Sequence, residues 1–497
     1  MNSFLLSFFI FSPLIGILVL LFVPKGQDKM AKVAGVGATL LPLVSACIVY
    51  GTYLAGKGFD SFAEKANWIR FGRLPNLPEH LFSIDYELGI DGFAFVMMML
   101  TAVLATLAAV TALSIQKQVR GFYILLLLLE MGMLGVFAAK NLLLFFAFFE
   151  ITLPAMFFLV GKWGKFESEK AAYSYLIYNG IGSAILLIVF SILFAKTGTT
   201  NIDLLVDALN GNNVFGPIPE SLKFSLFLGI FIAFGIKLPI FPLHRWMVNV
   251  HVQAPPAVVM LHAGVLLKIG AYGLVRFGIN LFPQQFEKIA TFIAILGVIN
   301  LLYGAFLALI QTDFRKVLAY SSISHMGIVL IGLAALNTAG MKGAIFQVVS
   351  HGLIAALLFF LLGIIEQRYG TSDITRLGGL AKRVPILSGF LLAGAMASLG
   401  LPGMSGFVSE FLAFLGLFDR LPIVAAVGTL GIILTAAYLL RAVLAITFGK
   451  EDHGQKGDLK GWEFIPVLVL LFFIIAIGVA PEILGSPISS TLQMVGR

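Results

Sequence analysis

The sequence predicts an all-α, polytopic membrane protein with about 14 transmembrane helices. Three observations lead there. The 497 residues are 59 % hydrophobic and only 12 % charged, whereas soluble domains carry about a quarter charged residues. The apolar residues fall in runs of roughly 20 or more, the length needed to cross a bilayer as helix. Two of these runs are interrupted by proline and glycine at corresponding places in the chain, the pattern of an inverted-repeat transporter.

Taken in order, the runs fall into four segments. Residues 1–114 hold spans 3–23, 30–54 and 92–114. The first resembles a signal peptide, but no positive charge leads it and no small-residue cleavage site precedes Pro24-Lys25, so it is expected to be retained. Residues 121–280 hold spans 121–139, 141–161, 172–195, 222–250 and 255–280; residues 289–448 hold 289–310, 317–336, 341–366, 384–418 and 421–448. Residues 462–497 carry the last span, 462–480. The seventh span contains Lys237-Leu-Pro239-Ile-Phe-Pro242 and the twelfth Gly400-Leu-Pro402-Gly403-Met-Ser405-Gly406. Proline removes a backbone donor and clashes with the preceding turn, so each is expected to be two half-helices. Spans 4–8 and 9–13 then read as two inverted five-helix repeats, with the break in the fourth helix of each.

Charge sets the orientation. With the N-terminus outside, the connections on the cytoplasmic side hold 18 Lys and Arg against 12 on the other side, in line with the positive-inside rule. Both termini are thus expected on the non-cytoplasmic side. The formal net charge of +8 is topological and does not point to nucleic acid. Cys47 is the only cysteine, which excludes disulfides and a cysteine-ligated iron–sulfur cluster. Gly35-Val-Gly37 and Gly180-Ile-Gly182 lack the third glycine of a dinucleotide fingerprint and sit inside apolar runs as packing glycines. The histidines lie on different spans without metal-ligand spacing, so no metal site is expected.

Ionisable residues at membrane depth are costly, and by default they mark an ion pathway. They are Glu130 and Glu150 in the fourth and fifth spans, Lys237 at the first break, Lys268 and His262 in the eighth, His325 in the tenth, His351 in the eleventh, and Glu410 after the second break. Lys268 falls about 20 Å along its helix, near the centre, at 1.5 Å per residue. Carboxylate, lysine and histidine can all exchange a proton once burial tunes them, which arginine does not. A Glu150–Lys237 pair at about 6–7 Å would attract by roughly 2.5 kcal/mol at an effective dielectric near 20, enough to act as a switch. Blander roles compete. Glu130 could simply hydrogen-bond a neighbouring helix, His325 and His351 could bridge helices, and His262 is open between the two. His244 and His251 read slightly better as loop anchors than as channel-mouth groups. Arg441 can snorkel to the surface, and the 46 Phe residues and Met97-Met-Met99 read as lipid-facing or packing groups.

The strings Lys237-Leu-Pro-Ile-Phe-Pro-Leu-His244-Arg-Trp246, His251-Val-Gln-Ala-Pro255, Ala263-Gly-Val-Leu-Leu-Lys268-Ile-Gly-Ala-Tyr-Gly273 and Arg315-Lys-Val-Leu-Ala-Tyr-Ser-Ser-Ile-Ser-His325-Met-Gly resemble the antiporter-like membrane subunits of respiratory complex I, the NADH–quinone oxidoreductase. The likeness extends over nearly the whole chain. It is closest to the type without a long C-terminal lateral helix, because the chain ends about 17 residues after its last span. The resemblance implies fourteen helices and proton movement driven by quinone reduction elsewhere in the complex. It also implies a polar axis made of Glu150, Lys237, Lys268, His325, His351 and Glu410, with Glu130 and His262 as further candidates. No cofactor is expected in this chain, and NADH, FMN, iron–sulfur clusters and quinone are expected in partner subunits. The implied partners are neighbouring antiporter-like membrane subunits and the lipid bilayer of the inner cell membrane. Val248-Asn249-Val250 and His262 depart from the pattern. Related chains occur in multisubunit Na+/H+ antiporters and membrane-bound hydrogenases, which remain alternatives.

Overall fold

The computed structural model describes residues 4–72, 82–450 and 457–495; Arg73, Lys456 and Arg497 from the charge count lie outside them. Among the described residues, 12 helices are long and apolar enough to cross a membrane. In order, helices α1 (Leu5–Phe22) and α2 (Asp28–Leu54) come first. An antiparallel hairpin of strands β1 (Glu64–Phe71) and β2 (Phe82–Leu88) follows. Nothing in an all-α reading leads one to expect it. Residues 82–88 alternate in type as strands do, but the run is too short to register as a span. The hairpin has a structural task at α1: the Glu64 carboxylate accepts the Leu6 and Ser7 amides at 2.8 and 3.2 Å, satisfying donors that a helix start leaves free.

Helices α3 (Gly92–Thr111), α4 (Val119–Ala138), α5 (Leu142–Trp163) and α6 (Ser168–Thr197) come next, followed by the short α7 (Ile202–Leu209). The expected seventh span is two pieces, α8 (Glu220–Lys237) and α9 (Arg245–Gln253). Then follow α10 (Pro256–Ile279), α11 (Pro283–Ile310), α12 (Phe314–Ala334) and α13 (Thr338–Tyr369). The expected twelfth span is also two pieces, α14 (Pro385–Ser398) and α15 (Ser405–Arg420). The chain closes with α16 (Pro422–Phe448), α17 (Phe464–Val479) and α18 (Glu482–Val495).

Polar residues mark the turns between these apolar rods. Asn141 caps α5, accepting Leu143 N–H at 2.9 Å, and Asp313 caps α12, accepting Arg315 N–H at 2.8 Å. Both caps also form short antiparallel bridges, Asn141 with Asn201 and Asp313 with Asp373. These bridges lie just beyond Gly198 and Gly370, which end α6 and α13 with φ of +74° and +73°, a conformation glycine adopts without penalty. The same joint thus appears twice, at corresponding places in the two runs expected to repeat.

At the first break the freed backbone is met by the protein itself. The Phe241 amide donates to Asn300 Oδ1 of α11 at 2.7 Å, and Asn300 Nδ2 donates to Ile323 O at 3.0 Å. At the second break Gly400 and Gly403 take φ of +78° and +90°. Irregular backbone at membrane depth persists only where protein or a wet cavity covers it. Helices α3, α10, α12 and α13 are almost wholly buried and form the centre, while α1, α2, α16 and α17 present most of their surface outward. Helix α10 contains two π turns, His262–Leu266 and Leu274–Ile279, with Lys268 between them.

Candidate functional site

The ionisable groups expected at membrane depth, Glu130 aside, fall into two clusters. The first lies along α10, α12, α13 and α15. Lys268, fully buried, places Nζ 2.7 Å from His351 Nδ1 and 3.4 Å from Met326 Sδ. The His351 and His325 rings follow at 5.4 Å between centroids. His325 Nδ1 lies 3.5 Å from Glu410 Oε1 and 3.1 Å from Gln347 Nε2, while its Nε2 is 3.3 Å from Ser398 Oγ. Ser409 Oγ donates to Gln347 Oε1 at 2.5 Å. A cavity of about 10 Å³ lies among His325, Gln347, Ser350, His351, Ser398 and Glu410, roughly the minimum space for one water.

The broken helix is what brings Glu410 into this line. Without the break, α14 would run on and place residue 410 about 18 Å beyond Ser398 at 1.5 Å per residue. The loop instead folds back, so that Ser398 and Glu410 both reach His325. Gly400 allows it, because a Cβ there would stand 2.9 Å from Glu410 Oε2.

The second cluster surrounds the first break. Lys237, 2 % exposed, donates to Tyr175 Oη at 3.4 Å and lies over the Phe149 and Tyr175 rings at 5.2 and 5.4 Å. No direct ion pair joins this ammonium to Glu150, whose Oε1 is buried without a hydrogen bond. Close by, His251 Nε2 and His262 Nδ1 share a 2.9 Å hydrogen bond, and the His262 ring packs 6.0 Å from Tyr175. Glu130 stands apart from both clusters, fully buried with neither oxygen hydrogen-bonded.

A third group, unexpected from the sequence, lies where α12 begins and α13 ends. Arg315, 2 % exposed, grips Glu366 through Nε and Nη2 at 2.6 Å each. Its Nη1 donates to the carbonyls of His251, Val252 and Ala254 at 3.1, 3.3 and 2.9 Å. Lys165 adds a 2.7 Å contact to Glu366. This fork fixes the segment carrying His251, which makes that histidine part of a braced loop as well as the partner of His262. Tyr175, Gln347 and Ser398 also escape sequence reasoning, because neutral polar residues in apolar spans do not stand out until their neighbours are known. Among the described residues no three His, Cys, Asp or Glu side chains converge as metal ligands.

Residues 139–435 match the family described as NADH:quinone oxidoreductase/Mrp antiporter, transmembrane. The chain belongs to this family. Its relatives include NADH-quinone oxidoreductase subunit M of Rhodobacter capsulatus, 36 % identical over 98 % of this chain and 96 % of that one. Among solved structures, a chain of respiratory complex I from Thermus thermophilus is 28 % identical, with a TM-score of 0.85 over 99 % of this chain and 100 % of that chain. A chain of the Mrp complex from Dietzia sp. DQ12-45-1b shares the fold at 22 % identity, with a TM-score of 0.81 over 100 % of this chain and 96 % of that one. The family member is therefore a multi-pass membrane protein, and both of its polar clusters lie inside the matched region.

Proposed function

We propose that this chain is the M-type, proton-translocating membrane subunit of an NADH–quinone oxidoreductase. One observation carries the translocation reading: Lys268, His351, His325 and Glu410 stand in a contiguous line through an otherwise apolar bundle. Such groups are retained at membrane depth only when paired or functional. In this reading a proton enters from the cytoplasm by way of Glu150 and Lys237 and reaches Lys268. It then passes His351 and His325 to Glu410 and leaves on the opposite face. The His251–His262 pair lies beside the entry cluster, and Glu130 has no assigned step.

Both termini then lie on the non-cytoplasmic side of the inner membrane, the face that also carries the β1–β2 hairpin. Residues 121–280 and 289–448 act as the two inverted repeats, flanked by 1–114 and 462–497. NADH, FMN, iron–sulfur clusters and quinone belong to partner subunits, whose redox chemistry drives this chain.

The test is Glu150→Ala and Lys237→Ala in the intact complex, read by acidification per electron in sealed vesicles. Each is expected to abolish proton transfer through this subunit while the complex stays assembled and oxidises NADH. Normal pumping in either variant contradicts the route. A complex that co-purifies without flavin and iron–sulfur partners but exchanges Na+ for protons would move the chain to an antiporter assembly.

A further inference from the structure

Helix α10 carries more than Lys268. Tyr272 and Arg276 follow on the same face at four-residue spacing, about 6 and 12 Å further along the axis, toward the hairpin face. There the chain encloses a cavity of about 290 Å³, lined among others by Lys140, Asp203, Asp207, Tyr272, Arg276 and Thr491. Asp203 and Asp207, on α7, are exposed, so water reaches this cavity from outside. Its inner wall is built from paired charges. Arg276 forms an ion pair with Asp91, the cap of α3, and its guanidinium lies 5.2 Å over the Tyr272 ring. Asp91 Oδ1 also accepts Ala94 N–H at 2.9 Å, while its Oδ2 is buried without a hydrogen-bond partner.

Of the residues that line this cavity, Tyr272 stands nearest to Lys268 along α10. Tyr272, 3 % exposed, donates its hydroxyl to Phe137 O at 2.8 Å. Its ring packs against Phe137 and Phe93 at 5.1 and 5.2 Å. The π turn Leu274–Ile279 begins two residues later, and such turns gather at functional sites because their wider backbone loosens the helix.

We infer that this cavity is a second aqueous outlet for Lys268, gated by the Tyr272 hydroxyl. The inference rests on the proposed role of Lys268. When the hydroxyl leaves Phe137 O, its oxygen accepts a proton from the Lys268 ammonium side. Its own proton passes to water in the cavity, so Tyr272 ends neutral, as it began. The Arg276 guanidinium covers the face of the ring, and its pairing with Asp91 keeps the mouth near electroneutral, so a proton meets no fixed barrier of one sign.

The experiment uses the intact complex with Cys47→Ser and Val275→Cys in this chain. Val275 lines the cavity and is 2 % exposed. A membrane-impermeant trimethylammonium methanethiosulfonate is applied to right-side-out or inside-out vesicles. Labelling of this chain is read by mass spectrometry, and proton yield per electron is read beside Lys268→Ala. The expected result is labelling only from the hairpin face, with a partial fall in proton yield, smaller than that of Lys268→Ala because the Glu410 route stays open, and unchanged NADH oxidation. Tyr272→Phe, which keeps the ring and removes the hydroxyl, is expected to show the same fall without reagent. No labelling from the hairpin face, or a normal yield in Tyr272→Phe while Lys268→Ala loses it, overturns the outlet and leaves the Glu410 route standing. A normal yield in Lys268→Ala overturns both readings.

Discussion

Gly400 offers a clean way to perturb the end of the polar line without touching a titratable group. In Gly400→Ala two effects are superimposed. The residue has φ of +78°, and a non-glycine residue in the left-handed region costs about 1–2 kcal/mol, roughly 5–30-fold in a local equilibrium. The new methyl would also sit 2.9 Å from Glu410 Oε2, closer than two such atoms stand at rest. The carboxylate is the free end of a flexible chain, so it moves rather than the backbone, and its 3.5 Å approach to His325 lengthens. Gly403→Ala separates the two effects. Its φ is +90°, so the backbone strain is similar, yet an added Cβ there meets nothing within 4 Å. Both variants are expected to assemble, as judged by native gel electrophoresis of the detergent-extracted complex. Proton yield per electron should fall in Gly400→Ala and stay near the parent value in Gly403→Ala. Equal yields in the two variants would refute the argument that the position of the Glu410 carboxylate matters.

Two further predictions concern the framework around the line. Arg315→Ala leaves Glu366 with Lys165 alone and strips three backbone carbonyls of their donor. Breaking a buried pair of this kind costs about 3–5 kcal/mol, so the assembled complex should be lost at a clearly lower temperature. Arg315→Lys, which keeps the charge without the fork, should fall between the two. Asn141→Ala removes the cap of α5 and, with it, the amide that donates to Asp85 O at 2.9 Å and to Thr200 Oγ1 at 2.6 Å. A lost cap costs about 1 kcal/mol and a stranded buried acceptor about 1–3 kcal/mol more. Protease nicking near residues 198–202 should therefore quicken in sealed vesicles exposed on the hairpin face, while an unchanged digestion rate would count against the cap.

The breaks are legible in the sequence because proline and glycine act locally. Pro239, Pro242, Gly400 and Gly403 stop a helix whatever surrounds them. Buried charge is legible for a similar reason: Lys268 and Glu410 are conspicuous against leucine and phenylalanine. What stays hidden depends on who faces whom. Gln347 and Ser398 become relay neighbours only because α13 and α14 pack on α12 and bring them to His325. His251 and His262 are 11 residues apart in the chain, and they meet because α9 turns back onto α10 at Pro255. The hairpin escapes notice for another reason. Attention to long apolar runs passes over Phe82–Leu88, a segment whose alternation is plain once strands are sought.

Asn300 has a wider implication for how the bundle can move. Its side chain belongs to α11 and yet closes the gap in the backbone between α8 and α9, while its amide nitrogen is tied to α12. If the early helices swung away from the later ones as a rigid block, the partly buried Phe241 N–H would lose its acceptor, a penalty of at most about 1–3 kcal/mol, felt at the midpoint of the fold. Displacements that keep this stitch intact, such as side-chain swings and small rotations along α10, avoid it. The molecule is thus built to pass signals by local rearrangement along a sewn seam, and opening like a hinged book works against its own thread.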